Sequence, residues 1–321
     1  MEPGWIAAWW EAFGRGNLLI LAHRRGGRLT GVLPLVRRGA LLASPTNWHT
    51  PEYGPAFEHP TDAAALARGV FEQGFRRLRL SFLDSGSIAL GELREAARAA
   101  GRDPAERVKE RSPYIATDGD WEAYWRGRSS NHRSGIGRLR RRLGERGTVS
   151  VEIVKGGDGL PERLREAFEI EGSGWKGEKG SAILARPETR RFYERVARWA
   201  AVRGILRLAF LRLDGEAIAV HISLEANGRY LMLKPGFDPG FAKLGPGKLL
   251  DREMVERTFT EGLESFEFLG ADDSYKLTWT DRCRDRIEFQ AFSRSPAGAV
   301  DRLVQIRGRA LARRLLALRR R

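Results

Sequence analysis

The sequence predicts an α/β (α+β) protein of two units, in which mixed and mostly antiparallel sheets are flanked by helices and joined by a long basic helix. Three turn dipeptides, Gly26-Gly27, Asp214-Gly215 and Asn227-Gly228, each separate two strand-like runs, as in β-hairpins. Segments with helical spacing of apolar residues alternate with the strand-like runs. Residues 126–146 hold eight arginines and one acid, Glu145. At 321 residues, the chain is long enough for two domains.

The N-terminal 112 residues have the pattern of a small α/β unit. Residues 41–53 are polar and irregular, which predicts either the lining of a pocket or a plain surface loop. The other predicted elements, in chain order, are a helix at 3–13, strands at 17–24 and 28–36, a helix at 61–75, a strand at 77–83 and a helix at 88–100.

The basic segment is predicted to be one helix over residues 120–147, with a break at Gly135 or Gly137. Arg138, Arg140, Arg141 and Arg142 point in different directions around such a helix. They indicate either a surface for substrate or RNA phosphates or a solvated helix with acidic neighbours.

A second α/β unit is predicted from Thr148 onward. Its elements are a strand at 149–154, a helix at 160–171, a loop at 172–177, a helix at 187–202, and strands at 205–213, 216–225 and 229–234. A Gly/Pro-rich loop at 235–247, a helix at 248–261 and strands at 265–269 and 287–292 complete it.

The glycine loop has the sequence features of a phosphate-binding segment. Gly245 and Gly247 let the backbone approach an anion, and the following helix start offers free N–H groups and a positive dipole end. Lys243 and Lys248 add positive charge on either side. A glycine loop before a helix is also common as a simple turn. The apolar residues of the helix are predicted to pack on the sheet; they are Leu249, Leu250, Met254, Val255 and Phe259.

Composition excludes several classes of protein. Apolar residues make up 42% of the chain, enough for a real core, but no run of them is long enough to span a bilayer. Cys283 is the single cysteine and the five histidines show no ligand spacing, so we expect neither disulfides nor a metal site. The N-terminal segment lacks the basic start and apolar stretch of a signal peptide, which predicts a cytoplasmic protein.

The net charge of +15 favours anionic partners such as nucleotide cofactors, nucleic acid or an acidic membrane surface, although a coding bias toward arginine would also produce it. The C-terminal segment, residues 297–321, is basic and amphipathic. It is predicted either to dock on the protein or to lie on an acidic membrane. Peripheral contact with the inner face of the membrane is therefore an alternative to a purely cytoplasmic location.

Several short stretches together resemble one family. The order strand, helix, helix, three antiparallel strands, glycine loop, helix and strand is similar to the GNAT acyltransferase fold. More narrowly, the chain looks like the acetyltransferases named for cellulose-biosynthesis loci (the CelD/BcsL group), relatives of the Fem aminoacyl transferases. The stretches are Arg138-Leu139-Arg140-Arg141, Glu171-x-x-x-Trp175-Lys176, Glu216-Ala217-Ile218-Ala219 with His221, Phe237-Asp238-Pro239, Gly245-Pro246-Gly247, and Gly270-Ala271-Asp272-Asp273-Ser274-Tyr275-Lys276-x-x-Trp279.

The resemblance implies tandem GNAT-like domains. These would be a degenerate N-terminal copy at residues 1–118, a connecting helix at 119–147, the C-terminal acyltransferase domain at 148–296 and the C-terminal helix at 297–321.

The resemblance also implies acetyl-CoA as co-substrate and no metal. GNAT enzymes hold its pyrophosphate with a [QR]-x-x-G-x-[GA] loop, matched here by residues 242–247. The match departs at Ala242, and Pro246 removes one backbone donor. The implied cofactor-binding residues are Lys243, Leu244, Gly245, Gly247 and Lys248.

Acyl transfer by this fold uses a base on the acceptor, a strand N–H on the acyl carbonyl and an acid for the leaving thiolate. The candidate bases are Glu171, His221 and Asp273, and Tyr275 is the candidate acid. Each has an ordinary alternative: His221 as a structural strand histidine, Asp273 as a helix cap, and Tyr275 as a packing residue. The candidate substrate-binding residues are Trp175, Lys176, Lys276, Arg138 and Arg141.

Three functions follow from these observations. The first is acetyl-CoA-dependent acetylation of a hydroxyl or amine on a sugar, polysaccharide precursor or other small acceptor. The second is a Fem-like transfer from aminoacyl-tRNA that forms an amide on a cell-wall or natural-product acceptor. The third is a basic scaffold without enzymatic activity that binds membrane or a partner through residues 297–321. DNA is not an expected partner of any of them.

Overall fold

The protein is described from a computed structural model, which covers residues 2–174, 180 and 182–305. The chain forms two compact units. The first combines the residues up to Arg111 with the chain from Arg284 onward, and the second is Ser112–Cys283. Within the described ranges, no helix has the length and apolar character required to cross a bilayer.

The first unit is a sheet covered by helices. Its helices are α1 (Pro3–Phe13), α2 (Pro60–Glu72), α3 (Ile88–Ala99) and α9 (Pro296–Leu303). Its strands are β1 (Asn17–Arg25), β2 (Arg28–Arg38), β3 (Leu41–Ala43), β4 (Ala56–Phe57), β5 (Arg77–Asp84), the start of β6 (Ala105–Ala116) and most of β12 (Cys283–Phe292). The strand order is β1-β2-β3-β5-β12, and only β3 and β5 run parallel. The predicted Gly26-Gly27 hairpin is confirmed.

The last predicted strand pairs differently from what the sequence suggested. Residues 287–292 were assigned to the second unit, but they belong to β12, which pairs antiparallel with β5 of the first unit. Phe289 and Ala291 of this strand are buried in the same core as Leu78 and Leu80. Strand pairing over such a distance in sequence leaves no local signal.

The C-terminal segment is described as far as residue 305. Asp301 forms an ion pair with Arg76 at 2.7 Å, and Arg302 forms one with Asp103. Two salt bridges therefore connect the start of the segment to the rest of the first unit. Val300, Leu303 and Val304 remain exposed. The prediction for residues 306–321 lies outside the described residues.

The second unit is a six-stranded sheet with helices on both faces. Its helices are α4 (Trp121–Arg126), α5 (Ser130–Gly144), α6 (Leu160–Gly172), α7 (Pro187–Val202) and α8 (Pro246–Thr260). Its strands are the end of β6, β7 (Val149–Val154), β8 (Leu206–Leu213), β9 (Glu216–Ala226), β10 (Arg229–Phe237) and β11 (Ser265–Glu267). The order is β6-β11-β10-β9-β8-β7, in which β10 and β11 are parallel and the other pairs antiparallel.

The basic helix is broken at a different place from the one predicted. Two helices, α4 and α5, replace the single helix, and the break lies at residues 127–129. Ser129 begins α5 because its hydroxyl accepts the His132 N–H, while Arg128 Nη1 donates to Trp279 O at 2.7 Å. Gly135 and Gly137 continue the helix, with open space where a side chain would lie.

Candidate active site

Strands β10 and β11 separate partway along the sheet. They pair only from Arg229–Ser265 to Leu231–Glu267. Beyond Leu231, β10 continues to Phe237 and, among the described residues, pairs with β9 alone. The separation opens a gap between the two strands, beside the part of β10 that follows Leu231.

A β-bulge lies at the same place. The register with β9 shifts between Met232 and Lys234, so Leu233 is the extra residue. Before the bulge, Tyr230 and Met232 pack in one core with the apolar residues of α8. After it, Lys234 and Gly236 face α6 instead, where a Cβ on Gly236 would come within 2.5 Å of Glu171 Cα. The bulge thus brings the end of α6 against the open part of β10.

Glu171 is held in this position by several contacts. Its side chain is buried, with the residue 1% exposed, and Oε2 accepts the Ile183 N–H at 2.9 Å. Oε1 lies 3.9 Å from Lys234 Nζ. Burial and, secondarily, the charge of Glu171 raise the pKa of the Tyr193 phenol well above its usual value. Glu171 is therefore a buried carboxylate next to the opening, whereas its predicted neighbours Trp175 and Lys176 lie outside the described residues.

The glycine loop leads directly into α8. Gly245 is left-handed (φ 59°), Pro246 is the first helical residue, and the first helical bond runs from Leu249 N to Gly245 O. The helix start has no side-chain cap, so the N–H groups of Gly247 and Lys248 remain for an anion.

The flanks of the loop differ in what they can offer. Lys243 and Lys248 are exposed, so the positive charge of both side chains is accessible to an anion at the loop. Leu244 is buried in the core and could offer only its backbone. On one side, α5 covers the loop. Its Leu139 packs so closely against Gly245 that a Cβ added to this glycine would lie only 2.7 Å from Leu139 Cδ1. The groups at the loop that could hold a pyrophosphate are two N–H groups and two lysines, fewer donors than the GNAT pattern provides.

The loop that follows β11, residues 268–275, is fixed by Lys276. Its ammonium donates to Leu269 O at 2.9 Å and Ala271 O at 2.8 Å, and it pairs with Asp273 Oδ2 at 2.9 Å. Because three acceptors use its three N–H groups, Lys276 has none left for a substrate. The residue is 6% exposed, so its ammonium group is directed into the loop and not toward solvent. Asp273 keeps an exposed carboxylate beside this clamp.

Tyr275 follows the loop with its ring partly exposed. Burial of the hydroxyl, followed by the charges of Asp251 and Asp273, raises its pKa far above the usual value. The phenol is protonated at neutral pH with or without this shift, and the raised pKa makes it a weaker acid, so the hydroxyl is better suited to donate a hydrogen bond than a proton.

His221 forms a buried pair with Asp251. The Nε2 to Oδ1 distance is 3.1 Å and both residues are almost fully buried. This burial favours the structural alternative for His221. Asp251 is not among the residues predicted from the sequence, although a signal is present there: it is a carboxylate within the apolar stripe of Leu250, Met254 and Val255.

His132 is a second residue that sequence reasoning missed. It is the third residue of α5, and its ring lies edge-on to Trp279 at 4.6 Å and to Trp125 at 5.7 Å. Burial, then the charges of Lys248 and Arg128, lower its pKa, while Asp251 opposes them. Lys248, Asp251 and His132 thus belong to one electrostatic neighbourhood at the first turns of α8. The neighbours of His132 come from separate elements of the fold, so the spacing of residues along the sequence could not predict these contacts.

Arg138 and Arg141 lie on the exposed side of α5, together with Arg140 and Arg142. Arg141 lies 3.8 Å from Glu145, and both side chains are solvated, so this pair contributes little. The four arginines are all exposed but point in different directions around α5, and Arg138 and Arg140 are the immediate neighbours of Leu139, which contacts the glycine loop.

Comparison with protein families finds a match within the second unit. Residues 130–277 match the family described as acetyltransferase (GNAT) domain. This range contains β7 to β11 and every candidate site residue. The predicted GNAT-type fold and acyltransferase enzyme are thereby confirmed, while the narrower cellulose-biosynthesis group stays a prediction. No curated protein sequence matches the chain.

Solved structures show the same fold across most of the chain. FemX has a TM-score of 0.59 at 13% identity, covering 88% of this chain and 90% of that one. The C-terminal domain of a putative lysylphosphatidylglycerol synthetase from Agrobacterium fabrum has a TM-score of 0.55 at 11% identity, covering 92% and 91%. L-PGS from Bacillus licheniformis has a TM-score of 0.55 at 12% identity, covering 95% and 96%. Identities this low establish the fold alone.

Proposed function

We propose that the protein transfers an acetyl group from acetyl-CoA directly to a hydroxyl or amine of a sugar, polysaccharide precursor or other small acceptor. One observation carries the proposal: within the acetyltransferase (GNAT) match, β10 leaves β11 after Leu231 and leads to the uncapped start of α8. A donor with an extended arm and a pyrophosphate would lie in the gap between β10 and β11 and end on the N–H groups of Gly247 and Lys248.

Different residues beside the gap between β10 and β11 carry the separate steps of acyl transfer. A backbone N–H of β10 beside the gap polarises the acyl carbonyl, where negative charge develops. Tyr275 donates a hydrogen bond to the departing thiolate, the charge of which would otherwise be exposed in the gap. Glu171 and Asp273 are the remaining candidates for the base that takes the proton of the acceptor, Glu171 from the α6 side and Asp273 from the loop after β11.

The donor is tested by thermal stabilisation. Acetyl-CoA at about 100 times its dissociation constant should add close to 3 kcal/mol of stability, which is visible as a shift in Tm. Lys243→Gln and Lys248→Gln should each reduce that shift. Lys155→Gln, an exposed lysine on the far side of the sheet, is the matched control and should leave it unchanged. The absence of any shift with acetyl-CoA would reject the proposal.

A second candidate is transfer from aminoacyl-tRNA, as in the Fem-type relatives that the sequence resembles. The observation favouring it is that Pro246 removes a donor from the glycine loop, and Leu139 of α5 covers one side of that loop. The exposed arginines of α5 begin at the same place and suit RNA phosphates.

Binding of charged tRNA at varied salt tests this candidate. Replacing Arg138, Arg140 and Arg141 together with Gln should weaken binding and flatten its salt dependence. Replacing Arg165, Arg191 and Arg195, which are equally exposed on α6 and α7, should change the salt dependence less. Equal losses in the two triple variants would mean that only net charge matters.

Contact with an acidic membrane is a proposal for the C-terminal segment. The exposed Val300, Leu303 and Val304 of its described part support a lipid-facing role. Co-sedimentation with acidic vesicles, compared with neutral ones, tests it.

A further inference from the structure

The outer edge of β7 carries no protection against pairing with another strand. β7 ends the strand order of the second unit and, among the described residues, pairs with β8 alone. Its six residues contain no proline and no lysine, and its register with β8 has no bulge. Proteins normally block such an edge with one of these devices. An unprotected edge is a template for one more strand.

Apolar side chains are exposed at this edge. Val149 and Val151 are each 38% exposed, and Val202, at the end of the neighbouring α7, is 89% exposed. A depression of about 740 Å³ lies along the second half of the strand. It is lined by Glu152, Ile153, Val154, Gly156, Arg163 and Ala201. Since β7 is the third strand away from β10, this surface is separate from the proposed acyl site.

The backbone groups that point outward can be assigned. Asp214 N–H donates to Thr148 O across the β7–β8 pair. Because inward and outward groups alternate along an antiparallel strand, Val149, Val151 and Ile153 point their N–H and C=O away from β8. The free edge thus offers three residues with both a donor and an acceptor.

The strand is complementary to itself. In an antiparallel pair centred on Val151, Val149 lies opposite Ile153 of the second copy, so all three outward residues pair on each chain. Glu152, the single charge of β7, lies opposite Ser150 and is already neutralised by Arg212 at 2.6 Å. A pair centred on Glu152 would instead oppose two carboxylates. The separation of the two Glu152 carboxylates and the pairing of all three outward residues therefore both favour a strand pair centred on Val151.

We propose that β7 pairs antiparallel with β7 of a second copy of this chain around a two-fold axis at Val151, which joins two second-unit sheets into one. The partner is a second copy because a two-fold axis satisfies both strand edges and matches valine with valine. One six-residue strand pair buries a modest area, so the dimer should form in a concentration-dependent manner.

Sedimentation of the full chain over a range of concentrations is the first test. The mass should rise from that of a monomer to that of a dimer, and Val151→Lys should keep it monomeric because two ammonium groups would meet on the axis. Leu29→Lys changes a similarly exposed residue (44%, against 38% for Val151) at the start of β2; it is the matched control and should dimerise normally. A monomer at all soluble concentrations, or an undiminished dimer in Val151→Lys, would overturn the proposal.

Cysteine cross-linking tests the register without introducing a charge. In a Cys283→Ser background, Val151→Cys should form a disulfide with itself, since paired Cα atoms across strands lie within disulfide range. Val149→Cys should not link to itself, because four residues of offset separate the two positions by about 13 Å. It should link when mixed with Ile153→Cys. Self-linking of Val149→Cys, or no linking of Val151→Cys, would contradict the proposed axis.

Discussion

At the scale of single residues, the loop after β11 depends on one buried ammonium group. Lys276 binds Leu269 O, Ala271 O and the carboxylate of Asp273. Leu269 has a positive φ of 54°, which a leucine adopts only when its surroundings enforce it. The lysine therefore determines the loop conformation, and with it the positions of Asp273 and Tyr275.

Lys276→Met should be strongly destabilising. The substitution keeps an unbranched side chain but leaves two carbonyl groups without their donor, at a cost of about 2–4 kcal/mol in total. Thermal or urea unfolding measures the loss, and acyl transfer should fall with it. Lys243→Met removes an exposed lysine in the same unit and should leave stability within about 0.5 kcal/mol. A stable Lys276→Met protein would mean that the loop is held by other contacts.

The pH dependence of stability should report on His132. Its pKa is lowered in the folded protein, so below the unfolded value of about 6.5 the unfolded chain takes up a proton first. Stability is thus complete above that pH and declines as pH falls toward the folded pKa. His132→Phe keeps the ring contacts with Trp125 and Trp279 and removes the titration. The measurement is the difference between the two stability curves from about pH 7 to pH 5; parallel curves would exclude the effect.

At the scale of elements, two glycines of the second unit are expected to behave in opposite ways. A Cβ at Gly236 would meet the backbone of α6 at Glu171, whereas a Cβ at Gly137 of α5 would meet nothing. Gly236→Ala should therefore cost about 1–3 kcal/mol through overpacking. Gly137→Ala should add about 0.5–1 kcal/mol, because alanine is the better helix former. Urea unfolding of both variants tests the pair, and a neutral Gly236→Ala would show that α6 can shift.

Elements defined by local periodicity could be predicted from the sequence, and those defined by distant contacts could not. The three strands β8 to β10 and the helix α8 follow from alternation, hairpin dipeptides and helical spacing. The break between α4 and α5 depends on Arg128 reaching Trp279, so the sequence pointed to the two glycines instead. The candidate site shows the same division: the glycine loop was visible, whereas Asp251 and His132 acquire their neighbours only in the folded unit.

At the scale of the whole molecule, the two units differ in how the chain builds them. The second is continuous in sequence, but the first needs both ends of the chain. Ile287, Phe289 and Ala291 of β12 are buried in its core with residues of β5 and α3. The first unit therefore cannot be complete until the C-terminal part of the chain has been synthesised.

Fragments should reveal this difference. A fragment of residues 112–283 contains every partner of its own core and should unfold cooperatively by circular dichroism. A fragment of residues 1–111 lacks β12 and should be unfolded or aggregate, and co-expression with residues 284–321 should restore it. Cooperative unfolding of residues 1–111 alone would show that β12 is dispensable.

The bulge at Leu233 changes the phase of β10. Upstream of it, even-numbered residues are constrained by α8, and downstream they are constrained by α6. A single extra residue thus lets one strand satisfy two unrelated sets of neighbours. Deleting Leu233 would restore regular alternation, in which Lys234 still faces α6, but β10 would lose the local bend and extra length that the bulge provides.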